Sequence, residues 1–398
     1  MNGPLTGLRV LDIATIIAAP SAAALLADYG ASVVKAELPG AGDGMRDFPP
    51  HKDGKPLWWK VTNRGKRLVT LDLRKPEGAA LLLRMLPQFD VLIENFRPGT
   101  LDRWGLTKEA LWQAQPSLVI LRTTGFGQSG PYRDRPGFAR LFEAMGGLTY
   151  ISGEAQGAPM HSGYPLADNV GGLFGAVGVL AALWRRARNP QAPGEEIDLS
   201  LTEATLKLLE FLPIQHEQLG TVYQRSGNAN QYSAPAAVYR TADGQWVSLS
   251  GSTNAMFANN CRAIGRPELI DEPCFANNRG RVQHAQELNG IFAAWCAAHP
   301  LAAVLAAFEA AQGTIAPVYG IDQIEADPHM RARQALCDVP DRDFGSVRMA
   351  NVVPRFAQSP GSIRHAGGSL GQDNEAFYQG ELEMPAAELA RLREAGVI

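Results

Sequence analysis

The sequence predicts an α/β fold built on a mostly parallel sheet, and three observations predict it. Short apolar strand patterns alternate with helical patterns from Leu8 to Arg122. The chain opens on a strand–helix–strand unit punctuated by Pro20 and Gly30. Its 398 residues, 45% of them hydrophobic, can bury a large core and leave room for a second domain.

The elements follow in order. Leu8–Ile13 is a short apolar strand. Pro20 can open a helix, because its missing N–H is not needed in the first turn. Ser21–Tyr29 carries apolar residues at helical spacing, and Gly30 stops it. Ser32–Glu37 reads as the second strand, Leu68–Leu73 as the third, Pro76–Met85 as a helix, and Asp90–Glu94 and Leu118–Arg122 as further strands. The character changes after Gly220. Val238–Arg240 and Trp246–Leu249 read as a hairpin turned at Asp243-Gly244. Alanine-rich helical segments lead to Gly313–Val318, a loop entering a strand. From Arg348 the chain returns to short strands and loops and ends in a helix at Ala386–Ala395.

Several function classes are excluded. The first turn, Ala14–Pro20, has no GxGxxG, so the close glycine approach to a dinucleotide pyrophosphate is absent. Neither a P-loop nor a GxSxG elbow is present. The net charge of −3 offers no broad basic face for nucleic acid. The first residues, Met1–Leu5, lack the basic start of a signal peptide, and the longest glycine-and-apolar stretch, Gly171–Trp184, is shorter than the roughly 20 residues a bilayer requires. A cytoplasmic protein with no membrane partner is expected. Cys261, Cys274, Cys296 and Cys337 form no metal-ligand spacing, and the seven histidines show no HExxH, so reduced thiols and no metal are expected.

Four segments carry candidate chemistry. In Gly163–Gly172, Asp168 precedes an apolar helix, Leu173–Trp184. There the unpaired N–H groups and positive dipole end would favour an ionised, nucleophilic carboxylate. The same position suits an ordinary N-cap, and the stretch alone does not choose. The loop Glu37–Arg46 follows a strand end, where open α/β sheets bind ligands. Basic residues cluster at predicted strand ends: Asn63–Arg67, then Arg74 and Lys75, then Asn95–Gly99 and Arg103. In an acidic chain they suit a polyanion such as a nucleotide diphosphate, or simply a solvated face. Ser250-Gly251-Ser252-Thr253, after a strand, can be a turn or can present backbone N–H groups to a developing oxyanion.

The order and spacing of these segments resemble the class III CoA-transferase family, which contains formyl-CoA and carnitine CoA-transferases. The resemblance runs through Leu5–Asp12, Leu26–Ala31, Gly42-Asp43 with Arg46, Asn63–Arg67, Glu94–Gly99, Gly127–Tyr132, the Asp168 block, Gly227-Asn228 and Leu370–Gln372. It implies a Rossmann-like large domain built from both chain ends (1–220 and 326–398), a smaller α+β domain (221–325), and two chains interlocked as a homodimer. Coenzyme A and its thioesters are implied as substrates, with no tightly bound cofactor. The family's catalytic aspartate matches Asp168. It attacks the donor thioester to give a mixed anhydride, which CoA thiolate converts to an aspartyl-CoA thioester. By the same resemblance Lys35, Arg46, Leu71, Arg74, Lys75, Asn95, Phe96 and Arg103 fall on CoA-binding positions. Ser250–Thr253 matches a glycine-rich loop over the aspartyl thioester.

The chain departs from that pattern in places. Its loop at Ser250–Thr253 is glycine-poor, Ile16-Ile17-Ala18-Ala19 replaces the glutamine of formyl-CoA members, and Gly137-Phe138-Ala139 replaces the common Gly-Tyr-Asp. These changes point away from formate and oxalate. Related α-methylacyl-CoA racemases carry a histidine near Phe138, and phenylalanine cannot exchange protons, which disfavours racemisation. A non-catalytic acyl-CoA-binding protein is the remaining alternative, and the retained aspartate argues against it. A C4–C5 dicarboxylate acceptor is expected, with His161, Arg225 and Arg46 as candidate cations for its second carboxylate.

Overall fold

The structure, a computed structural model, describes residues 3–398; Met1 and Asn2, read above for a leader, lie outside the described residues. The chain divides into two compact units. The first comprises Met1–Thr149, His161–Gly220 and Ala332–Ile398, the second Tyr150–Met160 and Thr221–Arg331.

The first unit is built on six parallel strands: β1 (Arg9–Asp12), β2 (Ser32–Glu37), β3 (Lys66–Thr70), β4 (Val91–Glu94), β5 (Val119–Thr124) and β6 (Glu195–Ser200). They lie in the order β3-β2-β1-β4-β5-β6, the order of doubly wound nucleotide-binding sheets. Leu11 pairs with Val34 on one side and Leu92 on the other. Because both faces are covered, the central strands are continuous apolar runs rather than alternating ones. On one face α1 (Ala18–Asp28) and α4 (Leu166–Arg188) pack on Val10, Val33, Ile93 and Leu121. On the other, α2 (Pro76–Met85) and the C-terminal segment pack on Leu11, Leu92 and Ile120.

Three elements differ from expectation. Strand β3 begins at Lys66, two residues before the apolar run that announces it. Lys66 is fully buried, and its Nζ donates to Asp12 Oδ2 at 2.8 Å, Pro20 O at 2.8 Å and Asn63 Oδ1 at 2.9 Å. A charge satisfied this completely can enter a core although no hydropathy pattern predicts it. Helix α1 starts at Ala18, with Pro20 still inside its first turn.

Helix α4 starts at Leu166 rather than Leu173. Gly171 and Gly172 look like breakers, yet they are contact points. A Cβ on Gly171 would lie 2.2 Å from Leu201 Cδ2, and one on Gly172 would lie 2.8 Å from Ser21 Cβ. Close helix packing therefore overrides the roughly 1 kcal/mol that glycine costs a helix interior. At 23 residues, α4 is by length and composition apolar enough to cross a membrane, which corrects the shorter span read from the sequence. One of its faces is nevertheless packed against α1 and the sheet.

The C-terminal segment protects the sheet edge. Asp373 Oδ2 accepts from Leu68 N at 2.7 Å, Asn374 Oδ1 accepts from Thr70 N at 2.9 Å, and Tyr378 donates to Thr70 O at 2.8 Å. An exposed row of N–H groups on β3 is thereby occupied.

The second unit carries an antiparallel sheet of β7 (Ala236–Arg240), β8 (Trp246–Ser250) and β9 (Ile315–Pro317), with β8 central. The expected hairpin turn is present, Gly244 taking φ +79°. Helices Asn254–Ala263, Ala285–Ala297 and Leu301–Ala310 enclose its core around Phe257, Phe292 and Phe308. Cys261 and Cys296 lie in that core, and burial pushes their thiols up to about 12 and about 11, which keeps them protonated and inert.

Candidate active site

Sheet order reverses between β1 and β4, so the crevice at their carboxyl ends is the place where such sheets hold ligands. The sequence builds that crevice from backbone ties. Asn95, just past β4, clasps Thr15, just past β1: its Oδ1 accepts from Thr15 N at 2.8 Å and its Nδ2 donates to Thr15 O at 2.7 Å. Ile16 takes φ +70°, and Asp43 accepts from its N–H at 3.0 Å. A β-branched residue in the left-handed region costs about 1–3 kcal/mol, so this turn is held by its surroundings rather than by local preference.

A cavity of about 400 Å³ opens there, walled by the turn after β1, Asn95–Pro98, the end of β5, the loop Arg133–Phe138, and Asp168. Asp168 lies in the first turn of α4, which corrects its expected place ahead of the helix. The N-cap position is Pro165, and no side chain caps the helix. Its electrostatics also differ from expectation. Burial, and secondly the carboxylate of Glu143, push Asp168 up to about 7, against the ionising pull of the helix end. Glu143 comes from α3 (Ala139–Met145) and is 1% exposed. Its Oε1 accepts from Ala167 N at 3.3 Å, and its Oε2 lies 3.4 Å from His161 Nδ1. Helix α3 is fixed by Phe142, which fills the space beside Gly125 and Gly137: a Cβ on either would lie within 2.6 Å of its ring.

A second cavity of about 200 Å³ lies beside the first and shares Thr15 and Phe96 with it. Leu71, Phe96 and Trp104 give it apolar walls, and Arg74 sits at its rim. Phe96 meets Trp104 edge-on with ring centroids 5.1 Å apart.

The predicted residues thus divide. Asp168, Asn95 and Phe138 line the larger cavity, Leu71 and Arg74 the smaller, and Phe96 both. Lys35 reaches the smaller cavity's wall, but its fully buried ammonium pairs with Asp43 at 2.9 Å and donates to Ala14 O at 2.6 Å. Through these bonds it holds two loops in place at the cavity wall. Arg46 makes a two-pronged pair with Glu37, both bonds 2.7 Å, and stacks on Trp59 with its guanidinium carbon 3.7 Å from the ring centre. These bonds anchor its loop. Lys75 donates to Ala395 O at 2.5 Å and Gly396 O at 3.1 Å, capping the terminal helix Ala386–Glu394. Arg103 is exposed and donates to Thr100 Oγ1 at 2.9 Å, outside both cavity walls. Arg74 itself is paired with Asp72, 2.8 and 2.9 Å, and its hydrogen bonds hold Asp72 below the usual carboxylate range.

His161 lies against Glu143, Nδ1 3.4 Å from its Oε2. Arg225 belongs to the second unit, where it donates to Tyr150 O at 2.7 Å. In the same unit Ser250 ends β8, and Gly251 donates to Pro235 O at 2.7 Å. Ser252 Oγ accepts from Ser233 at 2.8 Å, and Thr253 caps Asn254–Ala263 through Met256 N at 3.2 Å.

Four residues of the larger cavity or its surround escape the sequence reading: Thr123, Arg133, Arg135 and Glu143. Thr123 points to the side of the sheet on which Leu121 meets α4, and its buried hydroxyl has no hydrogen-bond partner among the described residues. Arg133 and Arg135 lie within three residues of the end of Gly127–Tyr132, and that closeness was the available signal. Among the described residues no group of three or more His, Cys, Asp or Glu side chains could hold a metal ion.

Comparison with known proteins agrees with this arrangement. The chain matches the model of CoA-transferase family III over residues 5–374. It is 39% identical to a succinyl-CoA–D-citramalate CoA-transferase of Chloroflexus aurantiacus, over 99% of this chain and 98% of that protein. It is 41% identical to the beta subunit of a succinyl-CoA–L-malate CoA-transferase of the same organism, with the same coverage. A succinate–glutarate CoA-transferase of Agrobacterium fabrum is 33% identical over 96% of each chain. Among solved structures, a CAIB/BAIF family protein from Brucella suis superposes with a TM-score of 0.83 at 29% identity, covering 98% of this chain and 100% of that one. A family match spanning nearly the whole chain, joined to a parallel sheet whose switch-point cavity is lined by Asp168, places the chain in CoA-transferase family III, as an enzyme that passes CoA between carboxylic acids.

Proposed function

We propose that this chain transfers CoA from succinyl-CoA to a C4–C5 dicarboxylate, with Asp168 as the nucleophile. The observation that carries the proposal is the placing of Asp168 at the wall of the switch-point cavity with Arg97, Arg133 and Arg135. In the first step a carboxylate oxygen of Asp168 forms a bond to the thioester carbonyl carbon, the C–S bond breaks, and CoA leaves as thiolate. The thiolate then attacks the aspartyl carbonyl of the mixed anhydride, releasing succinate and leaving CoA on Asp168 as a thioester. The acceptor carboxylate repeats the two steps in reverse. No oxidant is required, and no proton is gained or lost overall. One difficult exchange between two acids becomes a series of acyl transfers at one carboxylate.

The arginines support a doubly charged acceptor, since guanidinium groups pair carboxylates through two parallel bonds. The names of the relatives point the same way, toward malate, citramalate and glutarate. We assign the smaller cavity to the nucleotide end of CoA: Leu71, Phe96 and Trp104 offer an apolar slot, and Arg74, at its rim, a cation for phosphate. Phe138, 70% exposed at the larger cavity, offers no proton for a racemase reaction.

The assembly we propose is an interlocked homodimer in the cytoplasm, with the first unit as the large CoA-binding domain and the second as the small domain. A stripe on α4 supports the dimer. Leu173, Val177, Leu180 and Trp184 recur at helical spacing and are 56%, 62%, 39% and 65% exposed in the single chain. Contiguous exposed apolar surface of this kind marks an interface.

An exchange assay tests the function. Succinyl-CoA is mixed with a panel of mono- and dicarboxylic acids, and new acyl-CoA species are identified by mass. The expected products are CoA thioesters of C4–C5 dicarboxylates. Transfer to monocarboxylates alone would overturn the acceptor assignment.

A further inference from the structure

We propose that Glu143 is a positioning residue for the reaction: its buried carboxylate holds the first turn of α4 and sets a like charge beside Asp168, which is relieved when Asp168 is acylated. The inference rests on the reading of Asp168 as nucleophile.

Geometry carries it. Glu143 is anchored at both oxygens. Oε1 accepts from the Ala167 amide, one residue before Asp168, at 3.3 Å, and Oε2 lies 3.4 Å from His161 Nδ1, which Thr149 Oγ1 also approaches at 3.3 Å. The helix that carries this side chain is held in place by Phe142, packed against Gly125 and Gly137. Burying a carboxylate costs several kcal/mol unless it is compensated, and here the Ala167 amide and His161 are the groups set against its two oxygens. The other titratable side chains around the pair are His161 and, across the cavity, Arg97, Arg133 and Arg135, while α1 and α5 (Leu201–Lys207) contribute Ala18 and Leu201 to the cavity wall.

The consequence is chemical. Free Asp168 must carry its charge to attack, and Glu143 makes that charge unfavourable and the carboxylate correspondingly more basic. Conversion to the anhydride or the CoA thioester removes one of the two charges. The ground state is raised relative to the acylated states, so the covalent intermediate is favoured over free carboxylate.

The test compares wild type with Glu143→Gln, which retains an oxygen for the Ala167 amide but removes the charge. Two quantities are read. The first is the acid limb of kcat/KM against pH. The second is the fraction of enzyme carrying CoA on Asp168, measured by mass after quenching at a fixed ratio of succinyl-CoA to succinate. The expected result is an acid limb moved to lower pH by about one pH unit, and a ratio of thioester to free enzyme lowered about tenfold at pH 8. A merely structural Glu143 would alter stability but leave both readouts in place, and that result would overturn the inference. Should Glu143→Gln fail to fold, Glu143→Asp, which draws the charge back along a shorter side chain, is expected to move the limb the same way by less; an unmoved limb there overturns it equally. Absence of any adduct in wild type would instead overturn the nucleophile assignment, so the two failures are distinguishable.

Discussion

At the scale of the residue, the account turns on one carboxylate in an unusual setting. Asp168 stands at a helix end that favours charge, yet burial and Glu143 outweigh that pull and push it up to about 7. In the proposed reaction its ionised form attacks, so kcat/KM is expected to fall about tenfold per pH unit below about pH 7, read from a pH–rate profile. The same group affects stability. Its folded-state value lies above its ordinary 3.8, so the folded chain keeps a proton that the unfolded chain releases between about pH 4 and pH 7. The contribution of this group to stability therefore falls as pH rises through that window. Asp168→Asn is expected to raise the melting temperature at pH 8 by about 2–4 °C or more and to change it little at pH 4, as scanning calorimetry would show. Activity of Asp168→Ala is expected to drop by at least about 10³-fold. The aspartate could be singled out in the sequence through its place in a long ordered resemblance. The roles of Lys35, Arg46 and Lys75 were not. Their partners Asp43, Glu37 and Ala395 are fixed by the tertiary fold, and a lone cation in a sequence does not say whether it is already paired.

At the scale of the element, helix α4 carries the site. Its first turn presents Asp168, and its glycines let it approach α1 and α5 closely enough for that turn to reach the ends of β1 and β5. A side chain at Gly172 would meet Ser21 Cβ at 2.8 Å and Ala18 O at 3.2 Å. Gly172→Leu is thus expected to destabilise the chain by about 1–3 kcal/mol in urea denaturation, with activity lost beyond what unfolding explains, because the first turn shifts with the helix. Unchanged stability would show that the packing is looser than described. The β1–α1–β2 unit, helix α2 and the hairpin of the second unit could be read from local pattern, since each has its own punctuation at Pro20, Gly30, Pro76 or Gly244. The start of α4 could not, because Gly171 and Gly172 break a helix in isolation and only the surfaces of Leu201 and Ser21 make them necessary. Strand β3 was displaced for a similar reason: Lys66 looks like a loop residue until Asp12, Pro20 and Asn63 are placed around it.

At the scale of the whole molecule, residues far apart in sequence build one frame. Asp373, Asn374 and Tyr378 complete the edge of a strand made some 300 residues earlier. The stripe Leu173, Val177, Leu180 and Trp184 leaves apolar surface of the first unit uncovered in the single chain. Light scattering is expected to give a mass well above the 42.8 kDa of one chain, and Trp184→Glu to lower it; a stable 42.8 kDa species for wild type would contradict the dimer. The most direct test of the central claim is mass spectrometry of the whole chain after mixing with succinyl-CoA without acceptor and quenching at mildly acidic pH, followed by digestion. The account predicts a CoA adduct on the peptide that contains Asp168, absent in Asp168→Ala. A wild-type chain that exchanges CoA with no adduct on that peptide, or an Asp168→Ala variant that still carries one, would contradict it.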